Sequence, residues 1–512
     1  MRIIKEVFKT NLRIIKENTN IYLRIIKENV KCKLAHNQKT VYNMPIVILN
    51  SVFVHQMEVA MVLKRKIYKK LLEWKNDCQG KKALMVEGAR RIGKSTICEE
   101  FGKNEYDSYI IVDFAKKDRE LEEYFDRYLN DLDTFFLLLQ THFGVKLIPR
   151  KSLIIFDEVQ MFPQARAAIK YLVADGRYDY LETGSLISIK ENVKDIVIPS
   201  EERHINMYPL DFEEFASALG EELLVEYIKK CFVKREPLER SMHNQAMILF
   251  NQYMLVGGMP MPVVAFIENR KDFVEADKEK RDILKLYRDD IMKINVRYRS
   301  KVLAIFDQIP GFLSQHEKRV CFKQLQEGSY ADQYEETFFW LADSMISNES
   351  FLCNDPNVGL SLNETRSYVK CYMGDTGLLL SHAFDENELL EDEVYKQILA
   401  GKLQINEGML YENVIAQMLV ANGHKLYFYT HYNEEKHRND MEIDFIISNN
   451  SKLKYKMFPI EVKSGKRYST VSLKNFMEKY KDRIGESYII HPRNLIIKDD
   501  IICIPPYMTM ML

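Results

Sequence analysis

The stretch that most narrows the folds open to this 512-residue chain is Gly88-Ala89-Arg90-Arg91-Ile92-Gly93-Lys94-Ser95, which fits G-x-x-x-x-G-K-[ST] at every fixed position. The apolar run Ala83-Leu84-Met85-Val86 before it reads as a buried parallel strand, and a helix is expected to follow. In that setting Gly88 and Gly93 let backbone N–H groups turn towards a triphosphate, and the helix N-terminus adds its dipole. Lys94 is placed to reach the β- and γ-phosphates, and Ser95 offers a hydroxyl to Mg²⁺. With Thr96 completing the binding set, the loop predicts ATP and Mg²⁺ as ligands. A glycine-rich turn beside a surface lysine is the plain alternative.

A loop of this kind needs a second strand that ends in carboxylates. Leu153-Ile154-Ile155-Phe156-Asp157-Glu158 supplies it: Asp157 is the expected Mg²⁺ partner, and Glu158 the group that orients or deprotonates the attacking water. Lys94 and Glu158 are thus the expected catalytic residues. Tyr109 to Phe114 reads as a further strand, and Tyr180 to Ser185 as one ending in the hydroxyls of Thr183 and Ser185, candidate sensors of the γ-phosphate. A Thr-Gly-Ser run also suits an ordinary strand-to-turn junction. Arg203 is the candidate arginine finger, with Arg90 and Arg91 as alternatives and a surface ion pair as the plain reading of Arg203.

Near the C-terminus a helix is expected from Met409 to Leu419, followed by strands at Lys425 to Thr430, Glu442 to Ile447 and Phe458 to Lys463. Asp444 stands in an apolar strand, and Glu461 and Lys463, two apart, share a strand face. This D…E-x-K arrangement, with Glu412 as an extra helical carboxylate, is that of restriction-endonuclease-like folds. Asp444 and Glu461 are the expected metal ligands, and Lys463 would steady a hydroxide or the phosphate charge. Lys466, Arg467 and Lys474 could neutralise phosphates, which makes DNA the candidate partner. A decayed site, in which Lys463 merely pairs with Glu461, is the alternative.

At 60.5 kDa the chain exceeds what one core supports. A net charge of −1, from 73 basic and 74 acidic residues, leaves no whole-chain field to draw in nucleic acid or a membrane, so such partners need a local patch. Eight dispersed Cys and the lack of 18 uninterrupted apolar residues predict a cytoplasmic protein with no membrane partner. The opening repeats Arg-Ile-Ile-Lys-Glu at residues 2, 13 and 24. An 11-residue period could make a docking or oligomerising helix, but repeats this literal also suit a translated upstream DNA repeat, with Met57 or Met61 as the working start.

The set Gly88 to Ser95, Asp157-Glu158-Val159-Gln160, Thr183-Gly184-Ser185, Tyr208 to Phe215 and Gly257-Gly258-Met259-Pro260 resembles a prokaryotic family of AAA-type ATPases that carry a C-terminal domain of unknown function, DUF4143. The resemblance spans roughly residues 61–512. It implies an α/β chain: a P-loop NTPase core of αβα type with a mostly parallel sheet, a helical lid, a winged-helix-like middle segment and an α/β restriction-endonuclease-like domain. The expected divisions are 1–60 extension, 61–220 ATPase core, 221–300 lid, 301–400 winged-helix-like segment and 401–512 nuclease-like domain. Two further motifs, Tyr287-Arg288-Asp289-Asp290-Ile291 and Lys370 to Leu378, are expected to fix packing. Two functions follow as rivals: an ATPase coupled to a nuclease-like domain on DNA, or an ATP-driven signalling switch, each with a homo-oligomer as a candidate state.

Overall fold

The first sheet is wholly parallel. Its strands are β1 Ala83–Glu87, β2 Ser108–Asp113, β3 Ser152–Asp157, β4 Asp179–Gly184 and β5 Glu202–Asn206, in the order β2-β3-β4-β1-β5. Both faces of its central strands are covered, which is why they read as continuous apolar runs. Leu84, Val86, Leu153, Ile155 and Leu181 enter one core together with Leu71 and Trp74 of the helix Ile67–Cys78 and Phe101 of the helix Lys94–Glu105. Met85, Ile154, Phe156 and Tyr180 enter the other, under the helices Arg119–Tyr128, Leu132–Phe143 and Pro163–Asp175. The result is the expected αβα P-loop NTPase core. This computed structural model describes residues 63–512 except 186–198, 326–333, 387–389, 400–406, 449–455 and positions 316, 321, 358, 436 and 466. The N-terminal repeats, Met57, Met61 and Lys466 lie outside the described residues.

Five helices, Phe212–Ala218, Glu222–Lys234, Arg240–Val256, Pro260–Glu268 and Phe273–Lys293, follow the core. Next come Val296–Ser314, Phe322–Leu325 and Glu335–Asp343, then the antiparallel pair β6 Ser347–Cys353 and β7 Glu364–Met373. The remaining strands are β8 Leu426–Asn433, β9 Arg438–Ser448, β10 Met457–Val462, β11 Ser487–Ile490, β12 Ile496–Lys498 and β13 Ile501–Ile504. They join β6 and β7 in one sheet of order β12-β13-β11-β10-β9-β8-β6-β7. The division expected at 400/401 therefore cuts through a sheet: Ser350 of β6 pairs with Leu426 of β8, in parallel. Pairing across so many residues leaves no local trace in the sequence.

The post-core helices and this second sheet are tied together at Asp375, which is 1% exposed. Its Oδ1 accepts from Leu378 N at 3.0 Å and caps the helix Thr376–Ala383. Its Oδ2 accepts from Gly258 N at 2.6 Å and Gln417 Nε2 at 3.2 Å. Gly257 sits at φ +84°, and a Cβ there would stand 2.2 Å from Asp375 Oδ1, so the glycine is required twice over. Leu210 N in turn donates to Gly258 O at 2.6 Å, and Tyr253 OH to Leu210 O at 2.9 Å. Three motifs far apart in sequence thus share one buried knot. Among the described residues no helix is long and apolar enough to cross a membrane.

Asp375→Ala should leave Gly258 N–H and Gln417 without their buried acceptor, at a cost of about 2–3 kcal/mol. A thermal or urea melt checks this, and an unchanged midpoint would show that the knot is dispensable.

Candidate nucleotide site and carboxylate cleft

Strand order builds the first site. With β4 lying between β1 and β3, the loop after β1, the hydroxyl end of β4 and the acidic end of β3 all meet at the carboxyl edge of the sheet. Gly93 adopts φ +91°, and a Cβ on Gly88 would lie 2.4 Å from Met207 O. Lys94 is buried; its Nζ donates to Gly88 O at 3.0 Å and Ala89 O at 2.9 Å. Burial pushes its ammonium below the ordinary lysine value, against the pull of Glu158 and Asp157. Ser95 Oγ donates to Asp157 Oδ1 at 2.7 Å, and Thr183 Oγ1 donates to the same oxygen. Glu158 N donates to Thr183 Oγ1 at 3.2 Å, and Gln160 Nε2 donates to Glu158 Oε2. Glu158 itself takes φ 54°, a left-handed backbone rare for such a residue at the end of a strand.

Beside these groups lies a cleft of about 430 Å³ whose lining includes Arg90, Glu158, Gln160, Ser185, Tyr287, Asp290 and Lys293. Thr96 is exposed on the first helical turn. Arg203 is exposed on the outer strand β5, opposite Leu84, and is not among the lining residues. The Tyr287–Ile291 motif was expected to fix packing alone; instead Asp290 pairs with Arg90 of the loop at 2.7 Å. A carboxylate on a helix facing a loop arginine is invisible until the helix is placed.

Below the loop, Glu87 is bound to β5. His204 Nδ1 lies 3.1 Å from Glu87 Oε1, and its Nε2 lies 3.4 Å from Glu202 Oε2, which Arg166 Nη2 also grips at 2.8 Å. Bonds to Glu202 and then Glu87 raise His204 from 6.5 to about 9. A cation so stabilised strengthens the folded state in full below its unfolded pKa, and the gain is lost as pH rises through about 9. The melting temperature should therefore fall between about pH 7 and about pH 9.5 in the native chain and change less in His204→Gln. Parallel pH profiles for the two proteins would remove His204 from the account.

The second site lies along β9 and at the end of β10. A cleft of about 660 Å³ is lined by Glu412, Glu442, Asp444, Glu461, Lys463 and Lys318, among others, so the four expected residues do converge. Glu461 is 1% exposed, and neither of its oxygens has a well-formed hydrogen bond among the described residues. Lys463 Nζ stands 3.0 Å from its Oε2. Burial, with Asp444 adding to it, raises Glu461 to about 7 despite Lys463. Asp444 Oδ2 accepts from Val462 N at 2.8 Å.

Glu412, the extra helical carboxylate, is held by cations of this chain. It is paired with Lys318 and with Lys370 Nζ at 3.2 Å, and Tyr372 OH donates to it. Burial alone would raise its carboxyl; Lys370 and Lys318 override that and hold it well below the usual carboxylate range. Among the described residues no group of three or more His, Cys, Asp or Glu is placed to hold a metal ion. Lys370 and Tyr372 belong to the second motif expected only to pack, and alternation along β7 could have shown that the two share a face.

Loop, strand order and terminal carboxylates together define a P-loop ATPase core of the AAA class. More particularly, the AAA domain matches residues 80–216 of the chain, and the domain of unknown function DUF4143 matches 407–508. A third domain of unknown function, DUF8612, matches 247–388. Among solved structures the chain is similar to a Walker-type ATPase of Pyrococcus abyssi, at 15% identity over 63% of this chain and 96% of that one, with a TM-score of 0.36. It is also similar to the Aeropyrum pernix Orc1 protein in complex with DNA, at 10% identity over 64% and 93% of the two chains, with a TM-score of 0.26. Comparison with curated proteins gives no match.

Proposed function

We propose that the chain binds ATP with Mg²⁺ and hydrolyses it, and that its C-terminal cleft is a nuclease-like site that couples turnover to DNA. The observation that carries the first part is the meeting of Lys94, Ser95, Asp157, Glu158 and Thr183 at the carboxyl edge of the first sheet. A hydroxyl and a carboxylate oxygen 2.7 Å apart at a helix start suit a hard divalent cation, so Ser95 and Asp157 would hold Mg²⁺. When bound, the ion neutralises charge on the triphosphate. Lys94 then binds the β- and γ-phosphates, leaving its present carbonyl partners. Glu158, fixed by Gln160 and through its backbone by Thr183, accepts the proton of the attacking water.

Lys94→Ala should abolish binding of a fluorescent ATP analogue, whereas Glu158→Gln should bind normally and turn over about a hundredfold more slowly, the size of a lost general base. Normal turnover in Glu158→Gln would remove that residue as the base.

For the second cleft, the buried, poorly bonded Glu461 beside Asp444 supports a divalent-ion site, with Lys463 placed to hold a phosphate or hydroxide. The three helices followed by the β6–β7 hairpin support the winged-helix reading of the middle segment, a shape that suits a duplex groove. Titration calorimetry of the full chain with Mn²⁺ should find a class of sites lost in Asp444→Asn, and Lys463→Ala should stop any DNA cleavage while the ATPase persists. A second reading, a switch whose C-terminal module only recognises a partner, is favoured by the two lysines already neutralising Glu412. ATP turnover unmoved by DNA, together with identical Mn²⁺ titrations, would select it.

A further inference from the structure

We propose that Arg90 is the arginine that contacts the terminal phosphate of the bound nucleotide, that it acts within its own chain, and that Asp290 is its positioning residue. The proposal rests on the ATPase reading above and names the group that reading leaves open. Arg90 Nη1 donates to both oxygens of Asp290, at 2.7 and 2.9 Å. Among the described residues its Nε and Nη2 hold no partner, and 40% of the side chain is exposed. One nitrogen thus anchors the planar fork, and two remain for a phosphate, the geometry for which guanidinium is suited. The backbone is fixed as well, because Tyr287 OH donates to Arg90 O at 3.3 Å. Lys293 Nζ, 2.8 Å from Asp290 Oδ1, keeps the anchor from cancelling the local positive charge.

All four residues face the cleft that also holds Glu158, Gln160 and Ser185. Lys94 leads the same loop into the helix, so Arg90 and Lys94 can address one triphosphate from neighbouring positions. The other two arginines fail this test. Arg203 lies exposed on β5, and Arg91, at φ 70°, is exposed on the loop; neither lines the cleft.

The test is steady-state ATPase and nucleotide affinity on the full chain. Arg90→Ala should lower kcat about a hundredfold or more, by analogy with other phosphate-contacting arginines, and weaken ATP while leaving ADP affinity within about threefold. Arg90→Lys, which keeps the charge and the fold but not the fork, should recover only part of kcat. Asp290→Asn should lower kcat with a smaller change in KM. Mixing Arg90→Ala with Lys94→Ala should restore nothing, because the finger acts in cis. Recovery in the mixture would mean that the arginine is supplied by a second copy, and equal losses of ATP and ADP affinity would mean a structural role; either result overturns the proposal. If the native chain hydrolyses ATP and Arg90→Ala matches it, this inference alone fails. If the native chain neither binds nor hydrolyses ATP, the ATPase reading itself fails.

Discussion

One buried carboxylate governs how the parts of this chain are held together. Asp375 is out of reach of water, yet it accepts from the backbone at Gly258, from the start of its own helix and from Gln417 on the helix Glu407–Ala421. Burial raises its pKa, and these donors work in the opposite direction. Glycines at 257, 258 and 377 are small because backbone or carboxylate oxygens occupy the space that a Cβ would need. Any rearrangement of the helices after the ATPase core must therefore carry the second sheet with it, or break a knot in which each polar group depends on the others.

The helix Phe273–Lys293 is the other strut. At its C-terminal end Tyr287 and Asp290 hold the phosphate-binding loop. Towards its N-terminal end Asp277 accepts from Ser381 Oγ at 2.6 Å and Leu390 N at 3.0 Å, while Lys280, lowered to about 8 by burial, donates to Leu255 O. The nucleotide cleft also touches Ser344 and Ile346, at the root of β6, and Gly374 N at the end of β7 donates to Ile346 O. β7 in turn carries Lys370 and Tyr372 to Glu412 in the second cleft. A chain of elements in direct polar contact thus runs from one cleft to the other.

Much of the ATPase core was legible because its chemistry is local. A loop of fixed spacing after an apolar strand, and an Asp-Glu pair ending another, are each set by neighbours in sequence, and Ser95, Asp157, Thr183 and Glu158 are joined by hydrogen bonds next to Lys94. Strand alternation put Glu461 and Lys463 on one face in the same way, and the cleft they line also holds Asp444 and Glu412. What escaped was non-local. The partners of Glu412 lie on β7 and on the segment before it, so its neutralisation by Lys318 and Lys370 depends on a sheet whose strands are drawn from both sides of the expected boundary. Asp290 and Asp375 stand in motifs expected to fix packing, but nothing in their immediate sequence names Arg90 or Gly258 as partners.

The central claim is that a triphosphate with Mg²⁺ binds at the loop and is felt along the strut helix. Hydrogen exchange on the full chain, with and without a non-hydrolysable ATP analogue and Mg²⁺, tests it most directly. The account predicts slower amide exchange across residues 88–97, where backbone N–H groups meet phosphate, with a concurrent change across 287–293. Unchanged exchange at residues 88–97 under saturating nucleotide would contradict it.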